Sequence, residues 1–113
     1  MSFFDSEIVR AEMAEISELQ EDVYGQIMKF QYMNHDDKAH HINLLERLLN
    51  KQKVLYARLS LSDDPEAKRM KQEIARSATL MGLPSNVDVS VLFNQMAQMV
   101  GLMKKQLDAN QVD

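Results

Sequence analysis

The 113-residue chain has no cysteine. That excludes disulfides and thiolate metal sites, and it leaves the redox compartment open. Glycine is held to Gly25, Gly82 and Gly101, so no glycine-rich phosphate loop exists. Proline occurs only twice, and both prolines fall at helix boundaries in the reading below. No apolar run approaches the roughly 20 residues of a membrane span. The first residues lack a basic segment followed by an apolar one, so they do not read as a secretory signal. Ser2 stands where myristoylation needs glycine. These absences predict a soluble, cytoplasmic protein of one domain.

What is abundant is Met, Leu, Glu, Gln, Lys and Ala, a helix-forming composition. The net charge is −4, with a pI near 5.3, which argues against a dedicated nucleic-acid binder. The charge is uneven. Residues 1–37 hold nine acids against two bases, residues 38–76 nine bases against five acids, and residues 77–113 three acids against two bases.

Periodicity and punctuation predict an all-α chain of four helices, at about 5–33, 37–61, 65–81 and 86–107. In the first, Val9, Ile16, Val23 and Phe30 recur every seven residues. Met13, Leu19, Ile27 and Met33 flank them. With Asp5 as N-cap, Phe4 and Val9 would form a hydrophobic staple; with Ser2 as cap, Asp5 would complete an approximate capping box. Phe3 has no local use and is expected to pack on another helix or another subunit. Leu45, Leu48, Leu55 and Leu59 mark the second helix, after a turn containing Asn34, Asp36 and Asp37. Asp64 followed by Pro65 and Glu66 is a helix start. "MGLP" is a stop, with Gly82 at the left-handed C′ position and Pro84 blocking continuation. Ser85 with Asp88 suggests a capping box for the last helix, though Asp88 can itself be the cap. Residues 108–113 are expected to fray. The long first two helices are read as an antiparallel hairpin, followed by two shorter helices. The acidic side of the first would meet the basic side of the second.

"FFDSEIV", the long first helix, the Leu-rich second, the "LSDD" turn and "MGLP" before a Met-rich last helix together resemble an uncharacterised helical family. That family, a domain of unknown function, occurs in cyanobacteria and their phages. The resemblance covers nearly the whole chain. It implies a cyanobacterial or cyanophage source, and no activity, cofactor or catalytic residue.

Candidate chemistry is sparse. His35, Asp36, Asp37, His40 and His41 are the one set that could hold a metal, as i,i+4 pairs on a helix. The two pairs point about 100° apart, and a capping Asp has its carboxylate engaged by backbone N–H groups. The reading taken is a solvated helix cap, with no metal and no cofactor. Glu15 and Glu18 read as a solvated charged side rather than an acid–base pair, since they have no dry pocket. Arg47, Lys51 and Arg58 on the second helix, with Lys68, Arg69 and Lys71 on the third, form a basic patch that could track phosphates. Tyr56 is the only aromatic among them, and the acidic third of the chain would repel a polyanion.

The last helix is the sharpest feature. Val89, Leu92, Met96, Met99 and Met103 make one stripe, and further apolar residues spread beyond it. Met adapts to partners of varied shape. A buried central helix and a partner-binding helix both fit this pattern. The function expected is a non-enzymatic interaction or adaptor protein that binds a protein partner and self-associates as a homodimer. Its expected contacts are Phe3, Phe4, Phe93, Met96, Met99 and Met103. The alternatives are a nucleic-acid- or polymerase-associated regulator, and a metal-binding protein using the His35–His41 cluster.

Overall fold

The structure, a computed structural model, describes residues 2–110. Among them are four α-helices and no strand: α1 (Glu7–Gln26), α2 (His35–Leu61), α3 (Pro65–Leu80) and α4 (Val89–Asn110). Two 3-10 segments, Phe3–Asp5 and Ile27–Tyr32, flank α1.

The first helix therefore does not run unbroken from 5 to 33. Ser2 caps the opening 3-10 turn, its hydroxyl accepting from the Phe4 amide while the Asp5 carboxylate accepts from the Ser2 amide. Ser6, not Asp5, then caps α1, accepting from the Val9 amide. Neither staple position holds, because Val9 becomes the third residue of the helix. At Gln26 the backbone tightens to 3-10, and the segment ends at Met33 in extended backbone. Gly25 lies just before the change; glycine is a weak helix former.

α2 starts two residues earlier than its pattern suggested. Asn34 is the cap, its side chain accepting from the Asp37 amide at 2.8 Å, and Asp36 and Asp37 fall in the first turn, where the helix dipole favours acids. α3 begins as predicted, with Asp64 capping and Pro65 at its first position. It ends in a Schellman motif. Gly82 takes φ 108°, the Leu83 amide reaches the Ala78 carbonyl at 3.0 Å, and the Gly82 amide reaches that of Thr79 at 3.1 Å. α4 starts at Val89 with Asp88 rather than Ser85 serving its first turn, the carboxylate accepting from the Ser90 amide at 2.8 Å. It stays helical through Asn110; the rest of the tail expected to fray lies outside the described residues.

α2 is the spine. α1 packs antiparallel along one flank, burying Ile16, Leu19 and Val23 against Leu48, with Leu44 and Leu55 beside them. α4 packs antiparallel along another flank, where Val100, Met103 and Leu107 meet Ile42 and Leu49. α3 lies across the C-terminal part of α2, with Ala78 and Ile74 against Tyr56 and Val89. Polar bridges tie both long seams. Glu12 pairs with Arg58 at 3.3 Å and Glu15 with Lys51 between α1 and α2; Lys104 meets Glu46 at 2.8 Å and Lys53 meets Asn94 at 3.3 Å between α4 and α2. The complementary charge of the first two helices is thus used inside the hairpin. The Cβ that alanine would add at Gly25 or Gly101 would meet nothing within 4 Å, so close helix approach does not account for either glycine.

Among the described residues no helix is long and apolar enough to cross a membrane.

Candidate functional site

On α2, Leu45, Gln52 and Leu59 recur every seven residues between the flank facing α1 and the flank facing α4. The polar bridges leave α2 from Glu46 and Lys53 on one side and from Lys51 and Arg58 on the other. The helical period puts both sets round from the Leu45–Leu59 row, towards the opposite face. α1 and α4 each pack along α2 and scarcely meet each other. The Gln52–Leu59 end of the row between them is left as the floor of a cleft, while Leu45 packs into the clusters on both flanks.

The cleft has a volume of about 450 Å³. Ile16 and Gln20 of α1 form one wall; Ile74 and Ser77 of α3, with Met81 just past its end, close one end; Leu92 and Phe93 of α4 form the other wall. Gln52, Leu55, Tyr56 and Leu59 make the floor. Its one carboxylate is Glu73. Burial pushes the Tyr56 phenol up, and the neighbouring Asp88 carboxylate acts in the same direction. Asp88 itself is held below the usual range by the Ser90 amide. These groups stabilise the start of α4.

The helical period carries the apolar wall past the cleft. Met96 and Met99 follow Leu92 by four and seven residues, so they share its side. Met96 is 36% exposed and Met99 63% exposed. Val91 and Leu102 are exposed further round the same helix. Phe93 and Met103, expected as interface contacts, are instead packed largely inside the chain. Phe93 lies 5.6 Å from the Tyr56 ring, and Met103 packs on the cluster of Ile42, Leu49 and Val100. The predicted stripe thus divides between an inward half and an outward half.

Phe3 and Phe4 are half-buried and stack edge-to-face at 5.1 Å. They are docked on the start of α3. The Phe3 amide donates to the Asp64 carboxylate, and the Ser2 hydroxyl donates to Glu66 at 3.1 Å. Phe3 therefore meets another helix of its own chain.

The His/Asp set does not converge. Among the described residues no three His, Cys, Asp or Glu side chains are placed to hold a metal ion. His41 is buried against Phe30, its ring 5.4 Å away, and burial lowers its pKa. His35 is half-buried with Asp36 at 3.6 Å, while His40 and Asp37 line a separate shallow hollow with Lys29 and Tyr32.

The basic patch is divided too. Lys51 and Arg58 are engaged by the acids of α1, and Arg47 is exposed on the same flank, where its charge reaches Glu15. Lys71 is half-buried near Asp88; Lys68 and Arg69 are exposed on α3. Gln20 and Gln52 were not singled out from the sequence. Nothing in their local pattern separates a glutamine on a cleft floor from one on a solvated turn.

Residues 1–107 match a family described as a domain of unknown function, DUF1825. The chain belongs to this family. The DUF1825 match spans every helix nearly to the end of α4, so the cleft and both its walls lie within the shared region. No curated protein and no solved structure matches the chain.

Proposed function

We propose that this chain is a small non-enzymatic interaction protein that binds a protein partner through the cleft and the methionine-bearing side of α4. The single observation carrying this reading is the continuity of the apolar cleft with an exposed, uncharged helix side. From Val89 to Met103 there is no charged residue, although Val91, Met96, Met99 and Leu102 are all exposed. Protein interfaces are depleted of charge at their centre and enriched in Met. A catalytic cleft needs acids and bases of separated pKa within reach of one reacting atom, and this one offers Glu73 and a phenol. Pairing of Lys51 and Arg58 with α1 weighs against a phosphate-tracking surface on α2. The resemblance of "FFDSEIV" to cyanobacterial and cyanophage chains supports such a source and a cytoplasmic place of action.

Site-resolved photo-crosslinking tests it. A benzophenone side chain is placed at Met99, on the apolar side, or at Arg47, on the bridged side of α2, in cells of the source organism. The expected result is capture of one defined protein, this chain included, from Met99 and not from Arg47. Capture from Arg47 alone, or of nucleic acid from Met99, would overturn the reading.

A further inference from the structure

The folded chain carries more surface than its mass calls for. Its accessible area is 8145 Å², against about 6,300 Å² for a compact monomer of 13.0 kDa. Its radius of gyration is 16.2 Å, against about 13 Å for a compact chain of this length. The molecule is elongated, measuring 54 × 32 × 20 Å along its principal axes. The excess, about 1,800 Å², is larger than the roughly 800 Å² each partner contributes to a standard interface.

Which partner covers the face is indicated by charge. At a two-fold axis each residue meets its own copy, so a charge close to the axis meets a like charge. Few exposed helices can lie on such an axis. α4 can: its charge-free stretch from Val89 to Met103 is centred on Met96, and its exposed polar residues are Ser90, Asn94, which accepts from Lys53 on the bridged side, and the amides Gln95 and Gln98. These amides both donate and accept, so they can pair with identical residues. The charged side chains of α4, Lys104, Lys105 and Asp108, are all confined to its last turns, away from that centre.

Resting on the proposed interaction reading, we propose that the partner is a second copy of this chain, packed face to face about a two-fold axis beside Met96 and Met99. The two α4 helices run antiparallel, and each presents its Leu92–Met99 side to the other and to the other's cleft. The arrangement joins two elongated chains into one bundle.

The chain's lack of cysteine makes a single introduced thiol unambiguous. Light scattering after size exclusion should give twice the 13.0 kDa monomer mass. Met99→Cys treated with a short bis-maleimide should yield a covalent dimer, and Arg47→Cys should not. Met99 is exposed within one chain, so Met99→Glu should keep its helical circular dichroism and elute as a monomer. A monomeric wild type that is nonetheless captured by another protein from Met99 overturns this inference and leaves the interaction reading standing. A dimer that cross-links from Arg47→Cys rather than Met99→Cys, or that survives Met99→Glu, also overturns it. If Met99→Glu unfolds, the cysteine pair still decides.

Discussion

His41 shows how one residue sets a pH dependence. It is 3% exposed, its Nδ1 has no hydrogen-bond partner, and its ring packs on Phe30. Desolvation first, and the neighbouring His40 second, lower its pKa from the usual 6.5. In the unfolded chain the ring protonates near its usual value, but in the folded chain only at lower pH. The folded state therefore loses stability as pH falls below about 6.5, until the depressed folded value is passed. Urea midpoints measured from about pH 7 to about pH 5 should fall for the wild type and fall less for His41→Leu. Equal slopes for the two proteins would remove His41 as the cause. Asp64 acts in a separate window. Its carboxyl is held below the usual 3.8, first by the Phe3 amide and then by the Glu66 amide, so its contribution is lost only in stronger acid.

At the scale of elements, the N-terminal turn is a latch rather than a loose end. Asp64 does two tasks at once, capping α3 through the Glu66 amide at 3.0 Å and holding the Phe3 amide. The start of the first element is thereby tied to the start of the third. Phe3 and Phe4 close over this junction, and Ala67, fully buried in the first turn of α3, leaves room for close packing there. Replacing both phenylalanines by alanine should lower stability by about 2 kcal/mol, a value for partly buried rings. It should appear as a lower urea midpoint at unchanged slope. An unchanged midpoint would mean that the turn rests on α3 without stabilising it.

At the scale of the whole molecule, a chain with more surface than its mass calls for should depend on what covers it. Anything that binds the folded state alone stabilises it by mass action, and a second copy makes that stabilisation depend on protein concentration. Thermal midpoints of the wild type should rise across concentrations spanning two orders of magnitude, and those of Met99→Glu should not. A concentration-independent wild-type midpoint would place the stability within the single chain. The exposed ion pairs on the bridged side of the molecule should contribute little to this, because solvent screens them.

The local grammar of the sequence was enough for the fold class and for most boundaries. Pro65 after Asp64, and Gly82 with its positive φ, are signals whose physics lies within a few residues, and the chain follows both. The same holds for the opposite charges of the first two helices, which meet as Glu12 with Arg58 and Glu15 with Lys51 across the hairpin. The break at Gln26 was not legible. The apolar repeat runs on through Phe30, yet that ring reaches His41 from within a 3-10 segment. The division of the last helix was also decided in three dimensions. A period of 3.6 residues gives each side chain a direction about its own helix, but not what stands in that direction. Met103 points to Ile42 and Leu49 because α4 lies along α2, and Met99 points to open surface because α1 stops short of α4. Whether α1 and α4 close over Leu45, Gln52 and Leu59 depends on side-chain volumes summed over three helices. That sum has no local signature, so the cleft belongs to the tertiary structure alone.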